Sequence, residues 1–265
     1  MMACARSVGG ATAEEEIRAR MKKGASEIER REFAQAIFDF SLALRLQPDA
    51  KTTAELLGTR GGAYLANNDV EKAAADAEGA VKADPKYFRG YQVRGQVYHQ
   101  KHDYKAALAE YKTALRLNPS YSQLYANRGN TFAAMGDQAR ARADFTRAIS
   151  LQSTNWGAFM NRGISYAESG DVKAALADYH RAIVINPGQG EAYYNRGAFY
   201  IEKGMFPEAL KDWNDYLRLN PTDMVGYVAR GLVYTKLRNY REAVADLQKA
   251  AESSPADARP LNTLA

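Results

Sequence analysis

Proline and glycine recur along this chain at one fixed interval. Five prolines are spaced in steps of 34 residues, and the one vacant position in the series is Ser153. Six glycines keep the same spacing, each 24 residues ahead of its proline or of Ser153. A period of this size is typical of stacked copies of one small supersecondary unit. The prolines are Pro85, Pro119, Pro187, Pro221 and Pro255, and the glycines are Gly61, Gly95, Gly129, Gly163, Gly197 and Gly231.

Residues 156–189 show what one copy contains. Apolar residues at helical intervals come first, Gly170-Asp171 interrupts them, and a second amphipathic run follows. Asn186-Pro187 ends that run, because the residue before a proline disfavours the helical region. Each copy is therefore predicted to be two antiparallel helices joined by a tight turn. The recurring glycine lies inside the first helix, where it costs about 0.5–1 kcal/mol relative to alanine, so we expect the two helices to cross closely there.

The order of small and aromatic residues in each copy identifies a known pattern. The first helix carries an aromatic residue, the glycine and a tyrosine; the second carries alanine, an aromatic residue and alanine; a proline closes the copy. This pattern resembles the tetratricopeptide repeat. The resemblance implies an all-α, right-handed superhelical solenoid of antiparallel helix pairs, with the phased aromatic residues in its core.

The resemblance implies a single array over residues 17–257, preceded by a disordered leader over residues 1–16 and followed by a short tail over residues 258–265. The first copy is degenerate, and Lys51-Thr52-Thr53 is an insertion expected to lengthen the loop after it. The seven predicted repeats are 17–50, 54–87, 88–121, 122–155, 156–189, 190–223 and 224–257.

An arginine precedes the glycine in every copy after the first, and an acid follows each arginine by sixteen residues. One interpretation is a ladder of charge pairs that fixes the register of the hairpins; the other is a positive stripe for an acidic ligand. The ladder of charge pairs is favoured, because each arginine has an acid at a fixed separation within its own copy. The pairs are Arg60 and Asp76, Arg94 and Glu110, Arg128 and Asp144, Arg162 and Asp178, Arg196 and Asp212, and Arg230 and Asp246.

In the tetratricopeptide family the first helices line the concave surface, so the resemblance implies a surface rich in carboxamides. Asn127, Asn161 and Asn195 recur once per copy and resemble the asparagine ladder of O-linked N-acetylglucosamine transferases, which holds extended polypeptide. An amide both donates and accepts hydrogen bonds, which suits a peptide backbone. Local bonding within the helices is the alternative. The predicted peptide-binding residues are Asn127, Asn161, Asn195, Asn130, Gln96, Gln92, Tyr194, Glu168 and Glu202.

The sequence offers no support for catalysis, a metal or a cofactor. His99 and His102 are three residues apart, but no cysteine or third histidine accompanies them. No nucleophile and base are placed together. Glu168 and Glu202 are one copy apart without an apolar pocket between them, which indicates solvated contacts.

Charge and the two ends of the chain bear on partners and location. The net charge is +5, with basic residues in excess over residues 88–155, which leaves RNA binding as a minor alternative. The only cysteine, Cys4, lies in the leader and is interpreted as inert. Cytoplasmic location is predicted, with export as the alternative if the leader is a trimmed signal sequence.

These observations predict a non-enzymatic scaffold or adaptor that binds an extended polypeptide, with no small-molecule substrate and no membrane span. A targeting or regulatory subunit that assembles an enzyme complex is the alternative. A second alternative is self-association, for example as a homodimer, through the C-terminal repeat. The apolar face of that repeat, Val244, Leu247 and Ala251, is not followed by a predicted polar capping helix.

Overall fold

The computed structural model describes residues 12–253, which form fourteen α-helices and no strand. No described helix is both long enough and apolar enough to cross a membrane. The predicted tail over residues 258–265, Cys4 and the first eleven residues of the predicted leader lie outside this range. The helices are α1 Ala13–Glu29, α2 Phe33–Arg45, α3 Ala50–Ala66, α4 Val70–Ala83, α5 Phe88–Gln100, α6 Tyr104–Leu117, α7 Ser122–Ala134, α8 Gln138–Leu151, α9 Trp156–Glu168, α10 Val172–Ile185, α11 Gly190–Glu202, α12 Phe206–Leu219, α13 Met224–Lys236 and α14 Tyr240–Ser253.

The described residues divide after Asp137 into two compact units. The first unit holds the hairpins α1–α2, α3–α4 and α5–α6, followed by α7. The second begins with α8 and holds the hairpins α9–α10, α11–α12 and α13–α14. Helices in sequence pack against each other throughout each unit, as in an all-α repeat solenoid.

Two expectations about helix ends were wrong. The predicted leader does not extend to residue 16, because a capping box at Thr12 and Glu15 starts α1 at Ala13. The insertion Lys51-Thr52-Thr53 does not lengthen a loop. It lies inside α3, where the Asp49 side chain accepts a hydrogen bond from the Thr52 backbone amide and caps a helix with an extra turn.

The recurring glycines lie where the two helices of a hairpin cross. A Cβ added to Gly95 would come within 2.6 Å of the Tyr111 ring, and one added to Gly163 would come within 3.0 Å of the Tyr179 ring. Both rings are buried. The glycine thus makes room for the large residue sixteen positions later, and the packing of that residue offsets the cost of glycine in a helix.

One of the three residues in the apolar face predicted at the C-terminal repeat is fully buried. Leu247 is 0% exposed and packs over Gly231 within its own hairpin. Val244 and Ala251 are partly buried. Leu247 therefore already packs within its own hairpin, and self-association through the rest of this face stays a prediction.

Candidate functional site

The odd-numbered helices form one layer within each unit. In the first unit α5 contacts both α3 and α7, and in the second α11 contacts both α9 and α13. The first helices of successive hairpins therefore lie side by side, as on the inner side of a repeat solenoid. The predicted peptide-binding residues lie on these helices or, for Glu168 and Glu202, at their last residues.

A groove of about 250 Å³ runs between α1, α3 and α5 in the first unit. We call it the first-unit groove. Gly62 on α3 and the predicted site residues Gln92 and Gln96 on α5 line it. A Cβ added to Gly62 would meet nothing within 4 Å, so the glycine leaves open space on the α3 side. The lining is completed by Ile28, Phe33, Gly58, Thr59, Ala63, Ala66, Arg89, Val93 and Tyr121.

Arg89 contributes a positive charge to the lining of this groove. Its guanidinium lies 5.4 Å from the centre of the Tyr121 ring and 5.9 Å from that of Phe88. No acid pairs with it among residues 12–253. The aromatic rings hold the guanidinium while leaving its donors to a ligand.

A smaller cavity of about 100 Å³ lies next to the groove, between α5, α6 and α7, and we call it the α5–α7 cavity. Gln96 lines both spaces. Asn127 and Asn130, also predicted site residues, line the cavity from α7. The first unit thus places four of the predicted amides, Gln92, Gln96, Asn127 and Asn130, in the lining of two spaces that share Gln96. Gln92 and Asn127 are more deeply buried than a freely solvated groove residue would be, at 8% and 7% exposed.

The predicted site residues of the second unit are engaged more locally. The Asn195 amide nitrogen donates to the backbone oxygen of Glu191 at 2.9 Å, a contact of the kind that the local-bonding alternative proposes. The Tyr194 ring packs edge-on against Trp213 and Tyr216. Asn161 is partly buried.

The two acids of the second unit make polar contacts at the surface. Glu168 is exposed and accepts a hydrogen bond from the Gln138 amide. Glu202 is exposed and pairs with Lys203. Their contacts are those of solvated surface groups.

The arginine–acid ladder pairs within hairpins. Arg162 donates from Nε and Nη2 to the two carboxylate oxygens of Asp178, at 2.7 and 2.8 Å. The hydrogen bond to Asp178 raises the pKa of Arg162. Arg60, Arg196 and Arg230 make the same two-bond contact with their acids. These rungs confirm the structural interpretation.

In several ladder arginines the third guanidinium nitrogen, Nη1, donates a hydrogen bond to a side chain of the preceding helix. Arg162 Nη1 donates to Thr146 on α8, Arg60 Nη1 to Ser41 on α2, and Arg230 Nη1 to Asn214 on α12. One side chain therefore joins the two helices of its hairpin and also the helix before them.

The first hairpin has a rung that the arginine pattern missed. Lys23, just before Gly24, pairs with Asp39 at 2.7 Å, and Arg20 adds a second contact at 3.1 Å. The signal was present in the sequence, because Lys23 and Asp39 keep the sixteen-residue separation with lysine in place of arginine.

Other features give no sign of a reactive centre in the described residues. No group of three or more His, Cys, Asp or Glu side chains among them is placed to hold a metal ion. His102 lies in a turn with φ of 61°, and His99 lines the α5–α7 cavity. A wider cleft of about 640 Å³ beside the first turn of α1 contains none of the predicted site residues.

The sequence matches the TPR repeat family over residues 95–136 and 163–204. It matches the tetratricopeptide repeat family over residues 190–223 and over residues 122–155 and 226–257. These stretches cover more than half of the chain, which belongs to the tetratricopeptide repeat family. Proteins of this family generally serve as scaffolds for protein interactions. Among curated proteins, no sequence matches the chain.

Solved structures show the same fold. PilW, a type IV pilus biogenesis factor, is 20% identical with a TM-score of 0.71, and the match covers 80% of this chain and 98% of PilW. TTC0263, a thermophilic TPR protein from Thermus thermophilus, is 23% identical with a TM-score of 0.63, covering 70% and 99%. YrrB, described as a TPR protein with an unusual peptide-binding site, is 23% identical with a TM-score of 0.55, covering 70% and 96%.

Proposed function

We propose that this protein is a non-enzymatic scaffold that binds an extended polypeptide along its odd-numbered helices, with the first-unit groove as a principal contact. The observation that carries the proposal is the groove itself, an open space with carboxamides on one wall and a glycine on the other. Amides can pair with the alternating donors and acceptors of an extended backbone. The peptide-binding site described for YrrB is compatible with this use of the fold.

Arg89 adds a preference to this proposal. Its guanidinium lies in the groove without an acidic partner among the described residues, and it sits against two aromatic rings. A carboxylate on the bound segment would supply the missing partner through charge-assisted hydrogen bonds. We therefore expect the preferred segments to carry an aspartate or glutamate beside the backbone stretch held by Gln92 and Gln96.

The groove can be closed without disturbing the core. In Gly62→Trp the indole would occupy the open space that Gly62 leaves, so we expect peptide affinity to fall at least about tenfold, or about 1.4 kcal/mol. The measurement is fluorescence anisotropy with peptides selected by the wild-type full chain from a displayed library of random twelve-residue sequences. Circular dichroism checks that the variant stays helical.

Two control variants separate blocking from general damage. Gly62→Ala should bind peptide as the wild type does and gain about 1 kcal/mol in unfolding free energy, because alanine favours a helix interior. Glu78→Trp puts the same indole on an exposed position of α4 and should leave binding unchanged. Equal peptide affinity of Gly62→Trp and the wild type would contradict the proposal.

The asparagine ladder has its own test. Replacing Asn127, Asn161 and Asn195 together with alanine should abolish binding of the selected peptides while the melting temperature changes little. Asn127 has an unpartnered buried amide nitrogen, so its removal relieves an unsatisfied donor. A large fall in the melting temperature would instead indicate that these asparagines form hydrogen bonds within the helices.

A further inference from the structure

The α5–α7 cavity contains hydrogen-bonding groups that the chain itself leaves unused. It lies beside the first-unit groove, shares Gln96 with it, and has room for about three waters. The inference below rests on the proposed function, because it concerns a side chain of the polypeptide that the groove would hold.

Asn127 supplies an unused donor. The residue is only 7% exposed, and its Oδ1 accepts a hydrogen bond from Gln123 Nε2 at 2.9 Å. That bond fixes the orientation of the amide. Its Nδ2 has no hydrogen-bond partner in the described structure. A buried donor without a partner costs about 1–3 kcal/mol, so an acceptor that reaches this nitrogen would be favoured.

His99 supplies an unused acceptor. Its Nδ1 lies 3.0 Å from Thr131 Oγ1, and the Thr131 hydroxyl donates to the backbone oxygen of Asn127 at 3.1 Å. A hydrogen on Nδ1 satisfies both contacts at once, because His99 then donates to Thr131 Oγ1 while the Thr131 hydroxyl donates to Asn127, and we assign that tautomer. Nε2 of the neutral ring then has a free lone pair.

The surroundings of His99 favour the neutral ring. Burial lowers the pKa of His99, and the nearby His102 lowers it further. The titratable groups of α6 that face the same region are Tyr104, whose ring lies 5.5 Å from that of His99, and Tyr111, whose pKa burial raises. The α7 groups on this side, Asn127 and Asn130 in the cavity lining and Thr131 against His99, are uncharged.

We propose that the α5–α7 cavity binds the primary carboxamide of an asparagine or glutamine side chain in the bound polypeptide. The carbonyl oxygen of that side chain accepts from Asn127 Nδ2, and its NH₂ group donates to His99 Nε2. A primary carboxamide presents both groups along one edge, whereas a trans peptide group points its C=O and N–H in opposite directions. A carboxylate has no hydrogen for Nε2, and an ammonium has no acceptor for Asn127.

The test uses the full chain and the displayed library of random twelve-residue peptides at pH 7.5. We expect the wild type to select peptides with asparagine or glutamine at one position. Replacing that residue with glutamate or with methionine, which has similar length and no amide, should weaken binding by about tenfold or more.

A double-mutant cycle assigns this preference to the cavity. In His99→Phe the acceptor is lost, so the peptide change from glutamine to methionine should cost much less than it does with the wild type. The nitrogen NMR signal of His99 Nε2 in the wild type should shift on binding the glutamine peptide and not the methionine peptide, which gives a readout that does not depend on the variant.

Three results would overturn the proposal. Selected peptides that bind in the groove, and are blocked by Gly62→Trp, but show no asparagine or glutamine position would remove the carboxamide site and leave the proposed function standing. A recurring serine or threonine position coupled to His99 would replace the carboxamide with a hydroxyl. Failure to select any peptide would contradict both proposals.

Discussion

The rung between Arg94 and Glu110 differs from the other described arginine rungs of the ladder by one methylene in its acid. Arg94 Nη2 donates to Glu110 at 2.8 Å, while its Nε is buried and has no hydrogen-bond partner. Arg162, which faces an aspartate, uses both nitrogens. The longer glutamate side chain places its carboxylate where only one of the two parallel bonds forms.

Glu110→Asp should therefore stabilise the protein. The shorter side chain would let the carboxylate meet both Nε and Nη2 of Arg94, and we expect a gain of about 1 kcal/mol from the second bond. The unfolding free energy from urea titration measures it. Asp178→Glu is the reciprocal control and should destabilise by a similar amount. A neutral or destabilising Glu110→Asp would contradict this explanation of the Arg94 rung.

The chemistry of single residues in the candidate site was only partly predictable. The amide-rich surface follows from the resemblance to the tetratricopeptide repeat, and the structure places Gln92, Gln96, Asn127 and Asn130 in the lining of two spaces of the first unit. The burial of Asn127 depends on how deeply α7 packs between its neighbours, which spacing does not determine. From the sequence, His99 was considered only as a weak metal ligand. Its contact with Thr131 was not predictable, because Thr131 is 32 residues away on α7.

At the scale of elements, seven tight turns in the described part of the chain share one backbone feature. Each turn contains a residue with φ between 61° and 80°, in the left-handed region. Three of the turns use glycine there, which adopts this conformation without steric cost, and four use a larger residue. The seven residues are Arg31, Asn68, His102, Gly136, Gly170, Gly204 and Arg238.

Arg238→Gly should stabilise the last hairpin. The φ of Arg238 is 64°, a conformation that glycine tolerates better than arginine, so we expect a gain of about 1 kcal/mol in unfolding free energy. Thermal unfolding followed by circular dichroism measures the change. Gly204→Ala, in the turn before α12, is the matched control and should lower stability by a comparable amount. A loss of stability in Arg238→Gly would show that the arginine side chain does more in this turn than the structure indicates.

Some helix boundaries can be predicted from sequence patterns and others cannot. Turns and closing prolines mark most hairpins correctly, because glycine, asparagine and proline restrict the backbone directly. The start of α1 was missed although Thr12 and Glu15 have capping-box spacing. The extra turn of α3 was missed because three inserted residues have no counterpart in the other copies, and only the cap at Asp49 shows that they are helical.

At the scale of the whole molecule, the prediction of one continuous array over residues 17–257 stays a prediction, while each unit shows the hairpin stacking that it requires. Stability in such a protein is close to a sum of hairpin terms and neighbour terms. Arg196 and Asp212 pair inside the hairpin α11–α12, so removing that hairpin removes both charges together.

Deletion of residues 190–223 should therefore leave a folded protein. The deletion joins Gln189 to Met224 in the correct phase, and Arg230 keeps its partner Asp246 but loses Asn214. We expect a cooperative thermal transition at a lower temperature, because one set of hairpin and neighbour terms is gone. Deleting residues 190–206, which breaks the phase, should give an aggregated or unfolded product. An unfolded product from the in-phase deletion would contradict the additive description.

The placement of both members of an ion pair on one hairpin also bears on how such a chain can change length. Duplicating or losing a copy adds or removes one positive and one negative charge together. The change therefore leaves no buried charge without its partner in a neighbouring copy. A change in copy number therefore requires no compensating substitution at the rung.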